Sequence, residues 1–393
     1  MTYEQRDGAK KLSDYSENGR VKELQDLGIE NIDMAFAISE EKDGKGESID
    51  AAIDWVKFKQ PEGDGFEDSA EVECKLYRPN KNSNNELVIF TPGYPGGNAG
   101  RFERLYAKAI VDAGYTFCTV RHNGTSLTNG ESSLDRLGSK KRMDIAAQTG
   151  EHYVGGTKEH GYSPFEVVNE PVTPFAALYK MFDRVHFIGH SLGVSANYNT
   201  LRRIQGKQDM EEKVGNVVCL SGYVGKGTGG AMWDGLKMPM DILTDAEMEA
   251  AKEDDVNICS KQRYLEEMAK IAEANAKMTS PDNVNNVLVF TPQDPIIAGP
   301  DRKSPREEKD TYVTEYGPKT KRKLIIRDET GLGKKKQHSM MWISPEVVVS
   351  ALEAEIETKG PRAGPHYMVV GNEAGSTRFE PTYRPFTMPD DKE

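Results

Sequence analysis

The sequence predicts an α/β protein, with a mostly parallel central sheet flanked by helices and a small helical cap. Three observations lead there. From residue 86 onward short, nearly continuous apolar runs recur (ELVIF, YTFCTV, RVHFIG, NVVCL, NVLVF, RKLIIR), as strands buried on both faces require. Helix-compatible stretches separate them, including GRFERLYAKAIVDAG, TPFAALYKMF and VSANYNTLRRIQG, and such alternation folds into a parallel sheet through right-handed crossovers. Finally, residues 222–283 interrupt the alternation between two core strands and read mainly as helices, which is how a cap is inserted.

Taken in order, residues 1–48 are polar and weakly helical (GRVKELQDLG) and read as a peripheral lead-in. The runs IDAAIDWVKFK and AEVECKLYRP alternate apolar and polar residues across the turn-rich QPEGDGFEDS, the pattern of half-buried antiparallel strands near a sheet edge. The core is assigned to residues 49–221 and 284–358. Within it, residues 125–170 form a long polar connection. The cap opens with the glycine-rich GYVGKGTGGAMWDGL and continues with two helices, TDAEMEAAKED and SKQRYLEEMAKIAEANAKM. A last helix is predicted over SPEVVVSALEAEIETKG, with Ser344 as N-cap, Pro345 in its first turn and Gly360 near its end. Residues 359–393 form a tail with no readable pattern.

Bulk properties bound the function. The chain has 393 residues, 29% of them charged, with a net charge of −12 and a pI near 5.3. An acidic surface repels phosphate backbones, so nucleic acid is not an expected partner. Apolar runs such as LVIF and VLVF fall far short of the roughly 20 residues of a membrane span, and the polar N-terminus lacks the apolar core of a signal peptide. Cys74, Cys118, Cys219 and Cys259 are widely spaced without a C-x-x-C pair, which suits buried thiols in a reducing compartment. The expected location is the cytoplasm and the expected partner a small-molecule substrate; a homodimer is left open.

The chemistry centres on RVHFIGHSLGVSANY, where Gly189-His190-Ser191-Leu192-Gly193 spells G-x-S-x-G. With 37 glycines in the chain the bare pattern would arise by chance roughly 0.2 times, so it is weak alone. Its context is informative: a strand precedes it, a helix follows, and the glycines relieve a turn that presents the serine at the carboxyl end of the sheet beside a helix N-terminus. A serine needs a base. Of the seven histidines, His186 lies in the strand, His190 in the turn, His122, His152 and His160 precede the serine, and His366 is in the tail. His338 remains, in GLGKKKQHSMMW after the last core strand, where a loop emerges at the serine's edge of the sheet. The base wants a carboxylate. Asp294, in NVLVFTPQDPI, follows a core strand and completes the order Ser…Asp…His; Asp328 is the rival acid. Two backbone N–H groups must hold the oxyanion. Leu192 supplies one, and Tyr94, in LVIFTPGYPGG where Gly93 permits the bend, supplies the other.

On these motifs residues 50–358 resemble the α/β-hydrolases. The elbow at 189–193, the stretch Pro92-Gly93-Tyr94-Pro95-Gly96-Gly97, Asp294 and His338 match that family's pattern in order, and VRHNGTS (120–126) is similar to its loop after the fourth strand. Pro92 departs from the family, many of whose members have a histidine before the oxyanion glycine, and the terminal segments lie outside the resemblance. It implies a serine hydrolase that cleaves a carboxylic ester through an acyl-enzyme on Ser191. The same triad also serves lactone, thioester, amide and carbon–carbon bond cleavage, and a triad-bearing ligand-binding protein with little turnover is a further reading.

Weaker features fit bland roles better. The pairs Glu151-His152 and Glu159-His160 sit in a polar loop with no third ligand in register, and no metal or cofactor is expected. GKGTGG lacks Walker spacing. Lys334-Lys335-Lys336 reads as a solvated face that would also attract an anionic substrate. Trp233 and Met238, with Met240, either line an apolar substrate pocket or pack inside the cap.

Overall fold

The structure is a computed structural model. It describes residues 17–43, 45–63, 65–67, 69–93, 100–122, 167–222, 266, 269–271, 273–275, 277–290, 320, 322–328, 343–356, 366–370 and 382–385. Among these residues eleven strands form one sheet. They are β1 (Ile32–Ile38), β2 (Ala51–Phe58), β3 (Val72–Pro79), β4 (Glu86–Thr91), β5 (Thr116–Arg121), β6 (Arg184–His190), β7 (Val214–Leu220), β8 (Asn285–Phe290), β9 (Lys323–Asp328), β10 (His366–Val370) and β11 (Thr382–Pro385). Their order in the sheet is β1-β2-β3-β5-β4-β6-β7-β8-β9-β10-β11.

The run from β5 through β4 to β10 is parallel throughout, while β1, β2 and β3 add antiparallel strands at one edge and β11 at the other. The apolar runs of the sequence are these parallel strands, and every residue of β5 and β7 is buried, as a strand covered on both faces demands.

Chain direction across the sheet reverses at β4. The connection from β4 leads through α2 (Gly100–Asp112) to β5 on one side, whereas β6 pairs with β4 on the other and runs into α4 (Leu192–Ile204). The helices cover opposite faces. Tyr106, Ala107, Ile110 and Val111 of α2 pack with Val88, Phe90 and Ile188. Val194, Tyr198, Leu201 and Ile204 of α4, spaced to share one helical face, pack with Leu87, Ile89 and Phe187, beside Phe175 of α3 (Val172–Leu178). Each such Val, Leu, Ile or Phe side chain contributes roughly 1.5–3 kcal/mol on burial. The carboxyl ends of β4 and β6, from which the two helices lead off to opposite faces, form the topological switch point of the sheet, and open α/β sheets bind ligands at such points.

Both ends of the chain enter the sheet, which the sequence reading did not foresee. α1 (Glu17–Asp26) and β1 lie in the stretch taken as a peripheral lead-in, yet Leu24 and Ile29 are buried in the core and β1 pairs with β2 along its length. Asp54 of β2, fully buried, accepts from Arg20 Nε at 2.6 Å and Arg78 Nη2 at 2.8 Å and so clamps α1 to the sheet. From the tail, β10 pairs in parallel with β9, and β11 pairs with β10.

The last helix is shorter than expected. As α5 it spans Pro345–Leu352, with Pro345 in its first turn as predicted, but stops well before Gly360. Side chains of the sheet take up the carbonyls at the helix end and just beyond. Asn216 Nδ2 donates to Leu352 O at 2.8 Å and to Ala354 O at 2.9 Å, and Asn285 Nδ2 donates to Ala354 O at 3.1 Å. No helix of the described residues is long and apolar enough to cross a membrane. Cys74, Cys118 and Cys219 are buried free thiols.

Candidate active site

Ser191 joins β6 to α4 with φ 53° and ψ −117°, a conformation that costs a side-chain-bearing residue of order 1–3 kcal/mol and persists only where the surroundings enforce it. Here they do. Ser191 N–H donates to Leu220 O of the neighbouring strand at 3.0 Å, and Ser191 O accepts from Val194 N–H at 3.1 Å. The glycines of the pattern have distinct steric causes. A Cβ on Gly189 would stand 2.6 Å from the backbone of Gly193, and one on Gly193 would stand 2.0 Å from Thr91 O. The strand, the helix and the end of β4 therefore meet at backbone contact, and only glycine fits at either position. Helix geometry leaves the first amides of α4, Leu192 among them, without an intrahelical acceptor, beside a serine that is 6% exposed.

The end of β4 lies across this turn. A Cβ on Gly93 would stand 2.9 Å from Ser191 Cβ and 2.9 Å from His190 Nδ1. Thr91 Oγ1 donates to Asn197 Oδ1 on α4 at 2.8 Å. Pro92 O accepts from His122 Nε2 at 3.1 Å, and the other nitrogen of that ring, Nδ1, is 2.5 Å from Glu170 Oε2. His122 follows directly on β5 and is fully buried; Glu170 precedes α3 and is 2% exposed.

α2 is secured where it leaves this region. Glu103 in its first turn accepts from Arg121 Nη2, at the end of β5, at 2.6 Å and from Thr119 Oγ1 at 3.2 Å. At the start of the 222–283 block Ser221 N–H donates to Val289 O at 2.9 Å. The next residue, Gly222, presses on the elbow, since a Cβ there would stand 2.5 Å from Ser191 O.

Of the residues expected from the sequence, the structure brings Ser191 and Leu192 to the switch point, with Gly93 in contact. Tyr94, Asp294, His338, Trp233 and Met238 lie outside the described residues, as do Met240, Lys334, Lys335 and Lys336. Their flanking anchors are described. β8 ends at Phe290 shortly before Asp294, and β9 ends at the rival Asp328, whose backbone pairs with Val370. The chain resumes after His338 at Ile343, whose carbonyl accepts from Tyr106 Oη at 2.7 Å. Among the described residues no group of three His, Cys, Asp or Glu side chains could hold a metal ion. Sequence reasoning passed over His122 and Glu170. Their signal was slight: a histidine closing the apolar run YTFCTVRH, and a carboxylate in the apolar-flanked VVNEP.

No protein-family model matches the sequence, and no curated protein matches it. Among solved structures the chain is similar to esterase Est22, at 13% identity and a TM-score of 0.36, covering 63% of this chain and 66% of that one, just under two thirds of the esterase's length. It is similar to Candida antarctica lipase A at 10% identity and a TM-score of 0.47, over 90% of this chain and 88% of that one. For dienelactone hydrolase from Anabaena variabilis the values are 14% and 0.32, over 63% and 78%. These likenesses are weak, and the strand order together with the backbone at Ser191 is what assigns the architecture. A sheet whose direction reverses at β4, and a strained serine heading the helix after β6, make this an α/β-hydrolase fold.

Proposed function

We propose that the protein is a serine hydrolase that cleaves a carboxylic ester of a small-molecule substrate. The observation that carries this reading is the backbone of Ser191, held at φ 53° on a turn closed by Gly189 and Gly193 and facing Gly93. Strain of this kind is retained where it serves a purpose, and here it presents one hydroxyl at the carboxyl end of the sheet, at its switch point.

In the proposed reaction His338, oriented by Asp294, takes the hydroxyl proton as Ser191 Oγ attacks the ester carbonyl carbon. The amides of Leu192 and Tyr94 hold the oxyanion. Collapse of the tetrahedral intermediate breaks the carbon–oxygen bond of the ester, and the departing alkoxide takes the proton from His338. Water then adds to the acyl group with His338 again as base, releasing the acid and restoring Ser191. Residues 222–283 serve as the cap, because they leave the sheet at Gly222 against the Ser191 carbonyl and return at β8. Trp233 and Met238 are proposed to line the substrate pocket beneath it.

Fluorophosphonate treatment followed by peptide mass mapping tests the assignment. The expected result is a single adduct on Ser191 that is lost in His338→Ala. An unlabelled Ser191, or labelling that is the same in His338→Ala, would overturn it.

A further inference from the structure

The reading of Ser191 as nucleophile requires a second oxyanion amide just past β4, and so requires that the chain leave β4 in one fixed direction. Little in β4 itself ensures this. Its ladder with β6 ends at Thr91, and Pro92 has no N–H to extend it. What the Pro92 peptide has is its carbonyl, and that carbonyl is held from two sides. On one side is the Cα of Gly193, where a Cβ would stand 2.8 Å away. On the other is the ring of His122, with Nε2 3.1 Å distant.

A carbonyl only accepts, so Nε2 carries the proton of this bond. Nδ1 lies 2.5 Å from Glu170 Oε2, so the ring is held at both of its nitrogens. Neither residue is loosely set. Glu170 N–H donates to Val167 O at 3.2 Å, Glu170 O accepts from Thr173 N–H at 3.1 Å, and Asn199 Nδ2 of α4 donates to Val168 O at 3.0 Å. A buried chain thus runs from the nucleophile's helix through residues 168–170 to Glu170, His122 and the Pro92 carbonyl, ending against the helix from which it began.

We propose that His122 and Glu170 are positioning residues for the oxyanion hole. His122 clamps the Pro92–Gly93 peptide against the start of α4, so that the amide donors on the two segments keep one separation, and Glu170 fixes the rotation of the ring. The pair touches neither substrate nor the reacting atoms. The proposal rests on the hydrolase reading of Ser191.

The test compares wild type with His122→Gln, which keeps a donor near the Nε2 position but loses the link to Glu170, with Glu170→Gln, and with His122→Ala. An aryl ester reports turnover, an arylboronic acid reports affinity for the tetrahedral state, and circular dichroism confirms folding. For His122→Ala the expected result is a fall in kcat of about a hundredfold with KM changed less than about threefold, and a matching loss of boronate affinity. Glu170→Gln should fall less, and His122→Gln should recover part of the loss. Folded variants with wild-type kcat and boronate affinity would overturn the positioning role while leaving Ser191 as nucleophile. Failure of all three variants to fold would assign the pair to the scaffold and overturn the role as well. No fluorophosphonate labelling of wild-type Ser191 would overturn the hydrolase reading, and the role of His122 with it.

Discussion

Gly93 approaches Ser191 so closely that a Cβ at position 93 would stand 2.9 Å from the serine Cβ. Ordinary contact begins well beyond that distance, so Gly93→Ala must displace the serine, His190 or the exit of β4. The expected cost is about 1–3 kcal/mol of stability and, because a misplacement near 1 Å costs about a hundredfold, a kcat lower by about that factor. Gly193→Ala meets Thr91 O, a backbone atom that cannot rotate away, and should destabilise by more than about 3 kcal/mol. Denaturant melts and steady-state kinetics on the two variants check both.

The strain at Ser191 sets stability against activity. Ser191→Gly removes the side chain from a backbone at φ 53°, and the gain of up to about 2 kcal/mol is partly offset by the flexibility of glycine in the unfolded chain. Ser191→Ala keeps the strained backbone, so of the two variants the glycine one should be the more stable. Both should be inactive. Thermal unfolding that ranks glycine below alanine would contradict a strained backbone at this position.

Tyr106 ties α2 to the chain at Ile343, five residues after His338. Tyr106→Phe leaves the Ile343 carbonyl without this donor, costing about 1–3 kcal/mol. If His338 is the base, kcat should fall severalfold with KM nearly constant. Equal kcat in the two proteins would detach this anchor from catalysis.

Lys323 supplies a pH dependence with a definite sign. Burial lowers its ammonium from the ordinary 10.5 to about 8, with Cys219 acting the other way. The group is charged in both folded and unfolded chains below pH 8, so the whole penalty is present there. It is relieved as pH rises from about 8 to 10.5, where only the unfolded chain holds the proton. At about 1.4 kcal/mol per pH unit the penalty is of order 3 kcal/mol. Lys323→Met should therefore be more stable than wild type at pH 7, with the difference shrinking between pH 8 and 10.5. Urea titrations across that range measure it, and a constant difference would contradict the assignment.

The parallel strands were legible because burial on both faces forces continuous apolar runs such as VHFI and NVLVF, and the elbow because its glycines are steric necessities. β1 escaped because a register shift between Ile32 and Met34 breaks the alternation that would have marked it, leaving exposed Asp33 inside an apolar segment. The end of α5 was not legible because the groups that satisfy its terminal carbonyls are not local: Asn216 and Asn285 belong to β7 and β8, far away in sequence. His122 was passed over for the same reason. Its meaning lies in Pro92 and Glu170, which only the folded chain brings to it.

The central claim is that Ser191 carries the acyl group between two chemical steps, and rapid mixing with a p-nitrophenyl ester measures this directly. A burst of p-nitrophenol equal to one per active site is expected, with quenched protein bearing the acyl mass on the Ser191 peptide, and both should vanish in Ser191→Ala. Linear release from the first turnover with no acylated peptide at any quench time, or an acyl group found on another residue, would contradict it.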